Sequence, residues 1–275
     1  MTTFAPDAVF DLQRGTVPLL VSMPHIGIEI PADLRGDLRP EALAVEDTDW
    51  HLDQLYDFVA TLGASLLRPR YSRYVIDLNR PPDDKPMYPG ASNTELCPTR
   101  FFTGQPLYRE GCDPRPEEQQ RRRQMYWQPY HDALAGELAR LKAAHGAVLL
   151  WDAHSIRSHI PWLFEGKLPD LNIGTASGAA AHASITDAVV AATARQPEVS
   201  TAVNGRFKGG YITRHYGQPE SGIHAIQLEK CQSLYMQETP PYSYEAVLAR
   251  QVQPLLQSMV MAALGAARKL GKARA

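Results

Sequence analysis

The sequence is poor in cysteine. Its 275 residues hold three, Cys97, Cys112 and Cys231. They are odd in number, widely spaced and form no Cys-x-x-Cys pair, which argues against a disulfide framework or a cysteine-based zinc finger. A reducing cytoplasm is the compartment this implies. No apolar run approaches the roughly 18 residues that span a bilayer. The opening residues, MTTFAPD, lack the basic and apolar regions of a secretory signal. Charge of one sign is missing too: 28 Lys and Arg stand against 30 Asp and Glu, a net charge of −2. Neither nucleic acid nor an anionic membrane is therefore an expected partner. The one cationic run, Arg121-Arg122-Arg123 beside Glu117-Glu118, reads as a solvated helix face.

What is present alternates between apolar runs of strand length and stretches of helical period. Residues 17–23 (VPLLVSM), 64–70, 73–79, 147–151 and 223–229 read as strands. Residues 49–62 carry Leu52, Leu55, Tyr56, Val59 and Leu62 at three- and four-residue steps, predicting a helix that Asp47 or Asp49 could cap. Longer helices are predicted over 116–144, 177–195 and from Ser243 onward, the last kinked or divided by Pro254. Residues 81–115 are rich in proline and glycine and lack a period. A loop of that length in a compact fold usually belongs to a lid or a site wall. The alternation predicts an α/β fold with a mostly parallel sheet, organised as one domain over residues 1–275. In such sheets ligands bind beyond the carboxyl ends of the strands.

Polar residues gather at those ends. VPLLVSM is followed by Pro24-His25, VIDL by Asn79-Arg80, and VLLW by Asp152 and His154, while IHAIQL runs into Glu229. Two imidazoles and one carboxylate suit a divalent metal with an open position for water. His25 and His154 are the candidate imidazoles. For the acid, Asp49 is favoured over Glu46, Asp47 and Glu29, although the three acids near residue 49 could equally serve the start of a helix. Asp152 is a candidate to hold the His154 ring from behind. Glu229, a carboxylate after an apolar strand, is placed to act as general base, or to pair with Lys230. Arg73, Arg80 and Arg214 are cations near strand ends, and arginine binds carboxylates through two parallel hydrogen bonds. A small acidic substrate follows. Gly209-Gly210, just before Arg214, would let backbone approach a ligand closely. Ser155 lacks a G-x-S-x-G turn, which argues against a serine hydrolase.

The blocks SMPHIGIEIP, EDTDWHLDQLY, RYSRYVIDLNRP, WDAHSIRSHIP, LPDLNIGT, FKGGYITRHYG and HAIQLEKCQSLYM together resemble the N-formylglutamate amidohydrolase family, over about residues 18–238. The resemblance implies a three-layer α/β fold with a mixed, mostly parallel central sheet, like that of zinc carboxypeptidases and aspartoacylases. It implies hydrolysis of N-formyl-L-glutamate to L-glutamate and formate, the last step of one histidine-degradation route. It also implies one divalent ion, expected to be zinc, held by two histidines and an acid. By position, His25 and His154 match the histidines and Glu229 the catalytic glutamate. Asn79-Arg80 match the pair in the substrate pocket, where Arg80 or Arg73 would also steady the oxyanion, and Arg80 and Arg214 would take the two substrate carboxylates. Zinc carboxypeptidases carry a ligating Glu three residues after the first histidine. Here Ile28 stands there, so the acid must come from elsewhere. The alternative is a zinc carboxypeptidase or a deacylase for another N-acylated amino acid.

Overall fold

The computed structural model describes residues 8–87 and 93–274. In chain order the elements begin with β1 (Phe10–Gln13), β2 (Leu19–Ser22), α1 (Ala32–Arg35), α2 (Leu52–Leu55), α3 (Phe58–Thr61) and β3 (Ser65–Pro69). Next come α4 (Pro116–Arg122), a π-helical turn (Arg123–Trp127), α5 (Gln128–His145) and β4 (Val148–Ile156). The chain continues with β5 (Leu171–Gly174), α6 (Ala183–Thr193), β6 (Thr201–Val203), α7 (Tyr211–Tyr216), β7 (Ile223–Cys231) and α8 (Ala246–Arg274).

One seven-stranded sheet runs in the order β1-β3-β2-β4-β7-β5-β6. β1 with β3 and β5 with β7 are antiparallel, and the other four pairings are parallel. The fold is therefore α/β with a mixed, mostly parallel sheet. Apolar side chains cover both faces. Leu149, Trp151, Ala153, Ile226 and Leu228 pack with α2, α3, α6 and α8, whereas Val148, Leu150 and Ala225 pack with α5 and α7. A central strand buried on both sides reads as a continuous apolar run, which is why VLLW is so plain in the sequence.

Several expectations need correction. Residues 73–79 form no strand. Val75 N–H bonds to the Ser72 carbonyl, and Asn79 N–H bonds to the Asp77 carboxylate, so the segment closes on itself in turns. The 49–62 helix starts only at Leu52 and breaks between Leu55 and Phe58; its N-cap is His51, and neither Asp47 nor Asp49 caps it. Pro254 lies inside α8 without dividing it. β4 extends to Ile156 and β7 to Cys231, so His154 and Glu229 stand within strands rather than after them. Arg122 is 1% exposed, not solvated: its guanidinium donates to Glu118, the Val75 carbonyl and the Tyr108 hydroxyl. β1, β5 and β6 have three or four residues each, too few to show an alternation. Of the expected 81–115 loop, residues 88–92 lie outside the described residues; the described part holds no helix or strand.

Leu149 is fully buried at the centre of the sheet. Leu149→Ala should cost about 2–5 kcal/mol through lost transfer energy and the cavity left behind. Met261→Ala, at a half-exposed position of α8, should stay within about 0.5 kcal/mol. Guanidinium denaturation with an unchanged slope checks both.

Candidate active site and metal centre

The parallel register of β4 and β7 sets Asp152 beside Gln227 and His154 beside Glu229. Side chains two apart in a strand share a face, so these four project from the same side of the sheet as Val148 and Leu150. Toward the carboxyl ends that face becomes the floor of a narrow cleft, lined by His25, Asp49, Arg73, Asn79, Arg80, Phe102, His154, Arg206, Gln227 and Glu229, among others. Thr94 and Phe102 of the long loop form part of its wall.

His25 and His154 meet across the cleft floor, their Nδ1 atoms 3.2 Å apart. Asp49 Oδ2 lies 3.2 Å from His154 Nδ1 and 3.7 Å from His25 Nδ1. All three residues are buried, and they can present one ligand atom each within 4.8 Å of the others. Asp49 arrives on a loop rather than a helix. Its N–H bonds to the His25 carbonyl, and its Oδ2 accepts from Ser155 N–H. The segment is bracketed by Val45 and His51, both left-handed at φ 45° and 59°. For a β-branched residue such as Val45 that conformation is strained.

The other acids near residue 49 serve different ends. Asp47 accepts from the Tyr74 hydroxyl, the Phe102 N–H and Arg157. Glu46 lies 3.6 Å from Arg157, and Glu29 pairs with Arg70 outside the cleft. Among the candidate acids, only Asp49 reaches both imidazoles.

The far side of each ring is also held. His25 Nε2 lies 2.8 Å from Asp77 Oδ1, and Arg73 Nη1 lies 3.2 Å from His25 Nδ1. Arginine has no acceptor, so that contact makes His25 Nδ1 the acceptor and leaves the ring proton on Nε2, donated to Asp77. The Nδ1 lone pair thus faces His154 and Asp49. His154 Nε2 lies 3.0 Å from Asp152 Oδ2, close enough to pair in charge although not aligned as a hydrogen bond. A carboxylate behind each imidazole is the arrangement that orients metal-ligating histidines.

Buried charge governs protonation here. Burial opposes a charge on His154, but Asp152 and Asp49 outweigh it and hold its pKa up to about 10. Burial also works against a charged Asp49, yet the hydrogen bond from His154 and the closeness of the two imidazoles keep it below the usual carboxylate range. Glu229 is pushed up to about 8, first by burial and further by Asp49, against the pull of His154, Lys230 and Arg73. Its Oε1 is buried with no hydrogen-bond partner among the described residues. Lys230, fully buried on the opposite face, donates to the His154 carbonyl at 2.6 Å and sits 4.8 Å from the Tyr56 ring centre.

Arg73 is gripped by Asp77 and faces Phe102. Arg80 lines the cleft while donating to Asn79 O, Thr94 O and Thr94 Oγ1. Asn79 bridges the site: its Nδ2 lies 3.0 Å from His154 Nε2, and its Oδ1 accepts from Ile212 N–H. Gly210 presses its backbone on that amide, where a Cβ would come within 2.4 Å of Nδ2. The close approach expected of Gly209-Gly210 is thus toward Asn79. Arg214 is not brought to the cleft lining. It donates to the Gly209 carbonyl and borders a neighbouring surface pocket with Asp83, Lys85 and Tyr211. Sequence reasoning missed Asp77, Gln227, Phe102 and Arg206. Asp77 alone gave a signal: a lone acid inside VIDL must find partners if buried.

The sequence profile of the N-formylglutamate amidohydrolase family matches residues 17–236. The chain belongs to this family. An N-formylglutamate deformylase of Pseudomonas putida is 50% identical over 258 residues, covering 94% of this chain and 96% of that protein. One of Pseudomonas aeruginosa is 52% identical over 254 residues, 92% of this chain and 95% of that protein. The crystal structure of an N-formylglutamate amidohydrolase from Ralstonia eutropha JMP134 superposes with a TM-score of 0.77 at 24% identity, covering 96% of this chain and 99% of that one. That likeness shows the shared fold.

The protonation pattern has a sign that thermal unfolding can read. A folded-state pKa raised above the ordinary value gives stability that is present at low pH and lost as pH rises through the raised value. Glu229 contributes such a loss between 4.5 and about 8, and His154 between 6.5 and about 10. Two buried basic groups oppose this at either end. His131, pushed down to about 3, adds stability as pH rises to 6.5, and Lys230, pushed down to about 8, adds it above that value. Protein stripped of metal by a chelator should therefore lose thermal stability from about pH 6.5 to about pH 8. Glu229→Gln should flatten that slope. A melting temperature that climbs across the interval, or an unchanged slope in the variant, would contradict the assignment.

Proposed function

We propose that the chain hydrolyses N-formyl-L-glutamate to L-glutamate and formate, using a divalent ion held by His25, Asp49 and His154. The observation that carries this reading is the convergence of two buried imidazoles and a carboxylate beside the unpartnered oxygen of Glu229. The identity to the two Pseudomonas deformylases over more than nine-tenths of the chain supports the choice of substrate.

The donor set fits a metal: two nitrogens and one oxygen, each imidazole with a carboxylate behind it. Nitrogen–oxygen sites of this kind suit zinc. Bound there, zinc supplies Lewis acidity, polarising a carbonyl and lowering the pKa of water from 15.7 to about 7. The rest falls to the chain. Glu229, raised toward neutrality, accepts a proton from the attacking water and returns it to the departing amide nitrogen. Arg73, fixed by Asp77, places positive charge where the tetrahedral oxyanion develops. Asn79 and Arg80 border the space for the substrate's α-carboxylate. For the side-chain carboxylate, Arg206 lines the cleft and is the better placed cation, because Arg214 borders the neighbouring pocket.

We further infer that the architecture is that of the zinc carboxypeptidases and aspartoacylases. The mixed sheet, with imidazoles and a glutamate at the carboxyl ends of its central strands, supports this. One catalytic domain accounts for the described chain, since its sheet draws strands from Phe10 to Cys231. The three cysteines are unpaired, which supports a reducing, cytoplasmic setting. No helix among the described residues is long and apolar enough to cross a membrane.

Formate release from N-formyl-L-glutamate tests the reading. It should vanish on chelation, return with zinc, and far exceed release of acetate from N-acetyl-L-glutamate. Glu229→Gln should lower kcat by roughly 100- to 10,000-fold with metal still bound. Near-normal turnover by that variant would remove Glu229 from its role, and activity indifferent to chelation would remove the metal.

A further inference from the structure

The helix running from α4 into α5 is interrupted by the π-helical turn Arg123–Trp127, where Gln128 N–H reaches the Arg123 carbonyl five residues back. Pro129 accounts for the interruption. It has no N–H to give, and its ring crowds the carbonyl four residues earlier, so a wider turn is the less costly path. Such turns are rare and recur at functional sites.

This one swings two ring donors toward the site. Trp127 Nε1 donates to the Arg80 carbonyl at 3.0 Å, and His131 Nε2 lies 2.9 Å from the Leu78 carbonyl. The two rings stack with centroids 3.7 Å apart. Burial keeps His131 neutral, with its pKa pushed down to about 3. With its proton on Nε2, it accepts from the Tyr216 hydroxyl at Nδ1, 2.9 Å away. The two donors thus seize the carbonyls on either side of Asn79. Residues 78–80 belong to no strand or helix, so those carbonyls have no ladder to bond to. From the opposite side Asn79 is fixed by Asp77, which also holds His25, and by Ile212 of α7.

We propose that Trp127 and His131 are positioning residues that clasp the Leu78-Asn79-Arg80 backbone and so hold Asn79 and Arg80 in their substrate-facing geometry. This rests on the proposed function, in which Asn79 and Arg80 face substrate. Neither ring lines the cleft, and the clasp's link to the three candidate ligand residues runs through the Asn79 amide beside His154, so its main effect is on substrate placement.

The test uses Trp127→Phe, which keeps an aromatic ring but no donor, together with His131→Leu and His131→Gln. Trp127→Phe and His131→Leu should each lower kcat/KM for N-formyl-L-glutamate by roughly three- to tenfold, the net worth of one hydrogen bond. The loss should fall mainly on KM, with bound metal per chain unchanged. His131→Gln, whose amide can present a donor near the position of Nε2, should recover most of it. Hydrogen–deuterium exchange over residues 74–82 should rise in the first two variants and stay near wild type in the third. That readout needs no substrate. If wild type were inert toward N-formyl-L-glutamate while exchange changed as expected, the functional reading would fail and the clasp would stand. Unchanged exchange, kinetic losses that track loss of metal, or a His131→Gln variant as impaired as His131→Leu would overturn the clasp.

Discussion

Asp49, Asp77, Asp152 and Glu229 are each 7% exposed or less and crowd into one end of one sheet. An isolated buried carboxylate is prohibitively costly unless it is paired or neutralised. Each of the four meets that constraint differently. Asp77 takes Arg73 and His25, Asp49 lies beside both imidazoles, Asp152 stands behind His154, and burial raises the pKa of Glu229 toward neutrality. Lys230 adds a charge from the other side of the sheet. Asp152 and Glu229 carry oxygens without a hydrogen-bond partner among the described residues, and of the two Glu229 is the one that lines the cleft beside the cluster.

The same constraint separates what the sequence revealed from what it hid. His25, His154 and Glu229 each follow an apolar run, and a polar group at the end of a buried strand is conspicuous. Asp49 was harder, because Glu46, Asp47 and Asp49 lie within four residues and only the fold shows which one bonds to Ser155 N–H and meets the imidazoles. Asp77 was hidden inside what reads as a strand. Its role depends on residues 52 positions before it and four before it, which no local pattern records.

The fold followed a similar division. Central β4 and β7 are buried on both faces and announce themselves as apolar runs, whereas β1, β5 and β6 are too short to show a period. The helix over 49–62 failed for a different reason. Its apolar stripe is real and buried, but the residues before Leu52 are held by the site, with Asp49 tied to His25 and Ser155. Propensity lost to a tertiary demand, as tends to happen at functional sites.

The two faces of the central strands show how such a site is tolerated. On one side Trp151, Ala153, Ile226 and Leu228 continue the larger core against α6 and α8 up to the level of the site. On the other, Asp152, His154, Gln227 and Glu229 follow the apolar Val148, Leu150 and Ala225 along the same face. Because successive residues alternate faces, a single strand can carry core packing and charge at the same height. The stabilising layer and the reactive layer share a backbone, so His154 and Glu229 are held by the two central strands of the sheet. The substrate side is different: Asn79, Arg80 and Phe102 stand on irregular chain and depend on bonds such as the one Phe102 N–H donates to Asp47 and the one Asn79 accepts from Ile212. The placement of His154 and Glu229 thus comes from the sheet, whereas His25, Asp49 and the fit to substrate have to be built from side chains and loops, one hydrogen bond at a time.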